Sequence, residues 1–361
     1  MRWVVVGAGT AGCVVAGRLA AAGHDVTVVE AGWAVPPVLS IFDAMAFPGA
    51  LHPGAPVRGR GLGGSSAVNG MVAWMGPLEQ YRAWRWDDVE EALGRVRLPM
   101  QEASDLGTVD RALLAAAPDA VPAVLTVRAG RRVTTADAYL RDVEVEMVNG
   151  VVARRVELDG DRATGVRLVG GRVLPADAVA LAAGATGSPQ LLRASGIDHP
   201  GIVEPRNHEG LPITLRLRPE APTDVHALVT GAVLRRGDVE VTAMNHLGPE
   251  TPGHAMLLVT ALAPGGIAAG RTIVEDLLAT ASFGRIVEEA TFATEPGGVH
   301  HLTSSCPMGL VVDAEGRVEG LQNVHVVDAS VFPDVPRAGT YLPTVVLAER
   351  LAARLAALGG R

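Results

Sequence analysis

No lysine occurs anywhere in the 361 residues; all 31 basic side chains are arginine. Schiff-base catalysis and the lysine of a nucleotide-binding P-loop are thereby excluded. Cysteine is almost as scarce, with Cys13 and Cys306 far apart in unrelated motifs. Such a pair supplies neither a disulfide framework nor a thiolate zinc site, and Cys13 reads as a small packing residue. His, Asp and Glu nowhere cluster at metal-ligand spacing. No apolar run reaches the roughly 20 residues that cross a bilayer, so no transmembrane segment is expected. The formal charge of −8 contains no block of like charges, which argues against a nucleic-acid partner. An apolar strand begins within three residues of Met1, leaving no length for a signal peptide. The expectation is a cytoplasmic protein.

What is present points to an α/β chain of two domains or one large discontinuous one. Hydrophobic residues make up 48% and charged residues 19%, enough apolar surface for a large core. The abundance of Ala, Gly, Val and Arg suggests a high-GC bacterial genome. Trp3 to Val6 is an apolar, β-branched run that reads as a buried parallel strand. It runs into Gly7-Ala8-Gly9-Thr10-Ala11-Gly12 and then a helical stretch, Cys13 to Ala22. A second strand, Asp25 to Val29, ends on Glu30. Gly7 permits the tight turn, Gly9 lets backbone approach a pyrophosphate, and Gly12 allows close packing of helix on strand. The helix N-terminus offers N–H groups to phosphates, and Glu30 is placed to bind an adenosine ribose. The fingerprint alone does not choose between FAD and NAD.

Further segments carry a family likeness. Gly59-Arg60-Gly61-Leu62-Gly63-Gly64-Ser65-Ser66-Ala67-Val68-Asn69-Gly70 resembles the first signature of the glucose–methanol–choline (GMC) oxidoreductases. Trp74-Met75-Gly76, with Tyr81 and Trp84, continues that pattern. Gly184-Ala185-Thr186-Gly187-Ser188-Pro189-Gln190-Leu191-Leu192 resembles the second signature, although Asp198 replaces a usual glycine further on. Thr135-Ala136-Asp137-Ala138-Tyr139-Leu140 is similar to a helix start of the family. His300-His301-Leu302-Thr303-Ser304-Ser305-Cys306-Pro307-Met308 resembles its histidine motif. Val324 to Pro333 and Pro343 to Arg350 complete the series in family order.

The resemblance implies an FAD-binding Rossmann-like domain, discontinuous over 1–205 and 300–361. A smaller antiparallel-sheet substrate domain occupies 206–299. Expected substrate-sheet strands are Ile213–Leu217, 227–234, Val239–Met244 and Met256–Ala261. FAD would be held by Gly7, Gly9, Gly12 and Glu30, by Gly63, Gly64, Ser65 and Asn69, by Val152 near adenine, and by Gly184, Asp328 and Ala329. Val68 stands where some members carry a histidine bonded to the flavin, so non-covalent FAD is expected.

The implied activity is oxidation of a small-molecule alcohol by proton abstraction and hydride transfer to flavin N5, with the final electron acceptor unspecified. Motif spacing selects His301 over His300 as the base, in the arrangement H-x-x-x-x-C-x-M. An imidazole is suited to accepting a proton near neutrality. The family adds a second histidine or asparagine before its last helix. This chain reads Ala338-Gly339-Thr340-Tyr341-Leu342-Pro343-Thr344 there, and Tyr341 is assigned that second place, either bonding substrate or packing over its pocket. His208 is expected to serve structurally at the domain junction. That departure leaves two alternatives open: an FAD-containing lyase on the same fold, and a flavin-binding protein without catalysis. The chain is shorter than is usual for the family, with losses around the substrate site.

Overall fold

The computed structural model describes residues 1–54, 56–222 and 228–358. Strand β1 (Arg2–Val6) is buried from Trp3 onward and lies at the middle of a five-stranded parallel sheet. Val4 pairs with Thr27 of β2 (Asp25–Glu30) on one side and Val179 of the strand Ala178–Leu181 on the other. Glu146–Asn149 extends the β2 side, and Val324–Val326 the opposite edge. A strand buried on both faces reads as an unbroken apolar run, and Val4-Val5-Val6 meets that requirement. Each fully buried valine contributes roughly 1.5–3 kcal/mol. Chain order reverses at β1, so its carboxyl end opens on a switch-point crevice. Helix α1 (Thr10–Ala21) begins at that crevice. The closing helix Tyr341–Leu355 packs against α1 and is buried along most of its length.

A second core lies beneath an antiparallel sheet. Its strand order is Val287–Phe292, Glu209–Leu217, His254–Ala261, Val239–Met244, Ala232–Arg236 and Ala120–Pro122. Helix Gly266–Leu278 lies on the face of this sheet; a Cβ at Gly270 would come within 2.2 Å of Val259 Cγ1. The expected strands Ile213–Leu217, Val239–Met244 and Met256–Ala261 fall inside observed ones. The fourth is shorter than expected, beginning at Ala232, and position 227 lies outside the described residues. This second core also takes in Val109, Leu113 and Ala120 from earlier in the chain. A small three-stranded sheet, Ala153–Asp159, Arg162–Leu168 and Val173–Pro175, flanks the parallel layer. No helix among the described residues is long and apolar enough to cross a membrane.

On its longer passage the chain enters and leaves the antiparallel layer side by side. Glu209 and Gly210, at the start of one strand, pair with Gly298 and Gly297 on the return. Just outside that pairing, Arg206 and Thr303 exchange backbone hydrogen bonds of 2.9 Å in both directions.

Candidate active site

Two glycine loops build the crevice at the end of β1. Gly7 has φ +102°, a left-handed conformation that suits glycine, and its N–H donates to Val29 O at 2.8 Å. A Cβ on Gly12 would lie 1.8 Å from Gly7 O, so turn and helix touch with no room for a side chain. The second loop presses directly on the first. Gly64, at φ +52°, would carry a Cβ only 2.6 Å from Gly9 Cα. Gly63 N–H donates to Ala8 O at 2.8 Å.

Glu30 ties these loops together. Its Oε2 accepts from Ala8 N–H at 2.8 Å, and its Oε1 accepts from Gly32 at 2.8 Å and Gly61 at 3.0 Å. Glu30 thus works as a clamp inside the protein, a task the motif reading did not assign, and Oε2 keeps one acceptor site. Val152 lies close by on the surface: Val151 N–H donates to Glu30 O, and the Val152 side chain is exposed. No side chain caps α1 at Gly9, leaving its first-turn N–H groups for an anion. Glycine contacts that admit no Cβ at Gly7, Gly12 and Gly64, set beside an uncapped helix N-terminus, fit a dinucleotide pyrophosphate.

The other predicted binding residues surround this cradle. Ser65 Oγ accepts from Gly59 N–H at 3.2 Å. Asn69 Oδ1 accepts from Met71 N–H at 3.0 Å and from Arg132 Nη1 at 2.9 Å. Asp328 is buried and turned inward. Gly184 N–H and Ser188 Oγ donate to its Oδ2 at 2.8 and 2.5 Å, and Ser330 N–H donates to Oδ1 at 2.9 Å. Its carboxylate therefore joins the Gly184 turn to the Ala329 turn, whereas the sequence reading directs it to the flavin. Burial raises the Asp328 pKa, against hydrogen bonds that lower it. Cys13 donates to Ala8 O at 3.0 Å, and burial pushes its thiol up to about 12, as befits a packing residue.

His301 lies at the crossing between the two layers. Its N–H donates to Asn207 Oδ1 at 2.8 Å, and its Nδ1 lies 3.0 Å from His208 Nδ1. His208 Nε2 is 2.7 Å from Pro336 O. Burial, with His208 and His300 beside it, pushes the His301 pKa well below the ordinary imidazole range, so the ring is neutral near neutral pH. Burial likewise lowers His208. His300 and Ser304, flanking this segment, hold left-handed φ values of +65° and +62°, and Met71 of the glycine-loop segment has +62°. Non-glycine residues in that region cost energy and cluster at sites where the surroundings hold them.

Tyr341 opens the closing helix. Its hydroxyl donates to Thr126 Oγ1 at 3.4 Å, a long bond, and burial pushes it up to about 12. Gly339 lies beside His301: a Cβ there would stand 3.8 Å from His301 Cε1.

Sequence reasoning also missed Arg132. This guanidinium is 2% exposed, yet all its acceptors are uncharged: Val38 O at 2.9 Å, Leu39 O at 3.3 Å, Ser66 O at 3.1 Å and Asn69 Oδ1. Burial brings it down to about 10, and the Tyr341 oxygen opposes that shift. The neighbouring capping box, in which Thr134 Oγ1 accepts from Asp137 N–H, was the available signal that this segment is built in.

Comparison with known proteins bears on this geometry. Two GMC oxidoreductase family models match residues 118–217 and 264–348, and one for pyridine nucleotide-disulphide oxidoreductases matches residues 2–46. An uncharacterised GMC-type oxidoreductase from the thcA 5′ region of Rhodococcus erythropolis is 27% identical, over 98% of both chains. That alignment runs to 482 positions against 361 residues here, so this chain is an abbreviated form. A 5-(hydroxymethyl)furfural oxidase of Methylovorus sp. is 43% identical over 18% of this chain and 13% of its own. Among solved structures, pyridoxine 4-oxidase from Mesorbium loti superposes with a TM-score of 0.84 at 21% identity, covering 98% of both chains. Aspergillus oryzae formate oxidase gives 0.88 at 17% identity, covering 99% of this chain and 98% of its own. The family matches and the shared architecture agree, and this chain belongs to the glucose–methanol–choline oxidoreductases.

Proposed function

We propose that this chain oxidises the hydroxyl of a small alcohol, with FAD as the immediate electron acceptor and His301 as the base. One observation carries the reading: His301 is fixed at the crossing of the two layers by Asn207 and His208, with a glycine in place of a side chain at its edge. Burial lowers its pKa, so that the ring is neutral. A neutral imidazole with a free nitrogen accepts an alcohol proton, whereas an imidazolium does not. Bound FAD would supply the two-electron acceptor, taking the carbinol hydride as the hydroxyl proton leaves. The chain's own part is to place the hydroxyl against His301 and receive its proton. Two relatives carry names consistent with alcohol oxidation, the furfural oxidase above and an oxygen-dependent choline dehydrogenase of Photobacterium profundum. The latter is 31% identical over 56% of this chain and 48% of its own.

The proposed cofactor contacts are the α1 N-terminus and Gly7, Gly9 and Gly12 for the pyrophosphate, and Glu30 and Val152 for the adenosine half. Gly63, Gly64, Ser65, Asn69, Gly184 and Ala329 lie along the flavin in this reading, and Asp328 acts by pinning two of those segments. Val68 packs with Ala44, Ala50 and Ala67 and has no nucleophilic atom, which supports dissociable FAD. Anaerobic visible absorbance with a panel of primary and secondary alcohols tests the activity. Bleaching of the bound flavin by an alcohol bears the proposal out. Flavin that stays oxidised with every alcohol, but is reduced by dithionite, counts against it.

A further inference from the structure

We propose that His208 is a positioning residue that fixes His301 in the tautomer protonated on Nδ1, leaving Nε2 bare as the basic atom. Pro336 O, 2.7 Å from His208 Nε2, is a carbonyl and can only accept, so the His208 proton is on Nε2. His208 is 4% exposed, and its ring bonds to Pro336 O and His301; among the described residues no carboxylate pairs with it to hold a second proton. Its Nδ1 is therefore a lone pair. The 3.0 Å contact between the two Nδ1 atoms needs one hydrogen, and only His301 can provide it. A neutral His301 has no other ring proton, so Nε2 is left free.

The opposite arrangement is costly at both ends. With its proton on Nδ1, His208 would aim an Nε2 lone pair at a carbonyl oxygen 2.7 Å away. With protons on both nitrogens, it would bury an imidazolium without a counter-ion. The rings meet edge to face, 85° apart with centroids at 5.2 Å, and the backbone keeps them there. Arg206 and Thr303 exchange two hydrogen bonds, Val299 N–H donates to His208 O at 3.3 Å, and His301 N–H is anchored on Asn207. When His301 Nε2 accepts a proton, the Nδ1–H bond to His208 is already in place and nothing rearranges. The catalytic consequence rests on the reading of His301 as base; the tautomer does not.

The test is long-range ¹H–¹⁵N spectroscopy of histidine-labelled protein, with His301 assigned among the ten histidines through His301→Gln. The expected wild-type pattern is His301 with Nδ1 protonated and Nε2 pyridine-like. In His208→Leu the proton should shift toward Nε2, and anaerobic flavin reduction should slow at least about tenfold with little change in KM. His208→Asn, which returns an acceptor oxygen near the Nδ1 position, should recover most of that rate. A wild-type His301 protonated on Nε2 overturns the proposal even if the leucine variant does not fold. So does a leucine variant with tautomer and rate both unchanged. An unaltered reduction rate in His301→Ala would remove the base assignment while leaving the tautomer result standing.

Discussion

Arg18 and Glu349, 331 positions apart, meet in a two-point ion pair: Arg18 Nε and Nη2 donate to the two Glu349 oxygens at 2.9 and 2.8 Å. Tyr139 Oη adds a third donor at 2.6 Å, so one buried carboxylate joins α1, the closing helix and the helix Thr135–Tyr139. Removing that charge leaves the guanidinium without its counter-ion, and an amide offers the three donors one oxygen in place of two. Glu349→Gln should cost about 2–3 kcal/mol, below the ~3–5 kcal/mol of a fully buried pair because Arg18 is partly exposed. Urea denaturation measures it; a loss under about 0.5 kcal/mol would show that the cluster contributes little.

His301→Ala should slow anaerobic flavin reduction by about 10²–10⁴-fold, the usual contribution of a positioned base. The flavin spectrum and content should stay those of the parent, since no cofactor contact is assigned to this side chain. Stopped-flow absorbance at saturating alcohol is the measurement.

The glycine contact at the cradle predicts a different loss. In Gly64→Ala the new Cβ meets Gly9 Cα at 2.6 Å, from a backbone already at φ +52°. Backbone against backbone cannot yield as a flexible side chain does, and a left-handed alanine adds about 1–2 kcal/mol of strain. The purified variant should contain less bound flavin and melt lower, as read by the 450 nm to 280 nm absorbance ratio and by thermal unfolding. Gly339→Ala makes the contrast, because its Cβ stands at an ordinary 3.8 Å from His301 Cε1. That variant should fold and bind flavin normally, while kcat/KM falls more for secondary than for primary alcohols.

Stability should fall as pH drops from 7 toward 5. Burial depresses His208, His301 and His325, the last to about 4. Below the unfolded value near 6.5, the unfolded chain binds protons that the folded chain refuses, so the unfolded state gains. The loss begins as pH passes that unfolded value and continues down to the folded ones. Asp110 and Asp328, raised by burial, act with the opposite sign at the acid end. Melting temperatures across pH 5–7 check the sign, and His325→Leu should flatten the slope. A melting temperature that rises on acidification would refute the assignment.

Much of the cradle was legible in the sequence because its geometry demands residues with no substitute. A turn at φ +102° and a helix against a carbonyl call for glycine, and Gly7 and Gly12 announce themselves. The valine run of β1 was equally plain. Val287–Phe292 was not: an edge strand exposing Glu288, Glu289 and Thr291 gives only a weak apolar signal, and Ala120–Pro122 is three residues long. In the site, spacing placed His301 in its segment but could not say what faces it. His208 is 93 positions away, and the two rings meet only because the strands entering and leaving the antiparallel layer pair. Tyr341 shows the same limit. The sequence reading put it just before the last helix, whereas it is the first residue of that helix, and where its hydroxyl points depends on Thr126, far back in the chain.

The pairing of Glu209–Gly210 with Gly297–Gly298 has a mechanical meaning. The passage that begins at Glu209 and ends at Gly298 enters and leaves the antiparallel layer through one narrow ribbon, with His208 and His301 just outside it. Displacing that ribbon would also displace the 3.0 Å contact between the two Nδ1 atoms. In the proposed reading, the orientation of the His301 base therefore follows the seating of that ribbon.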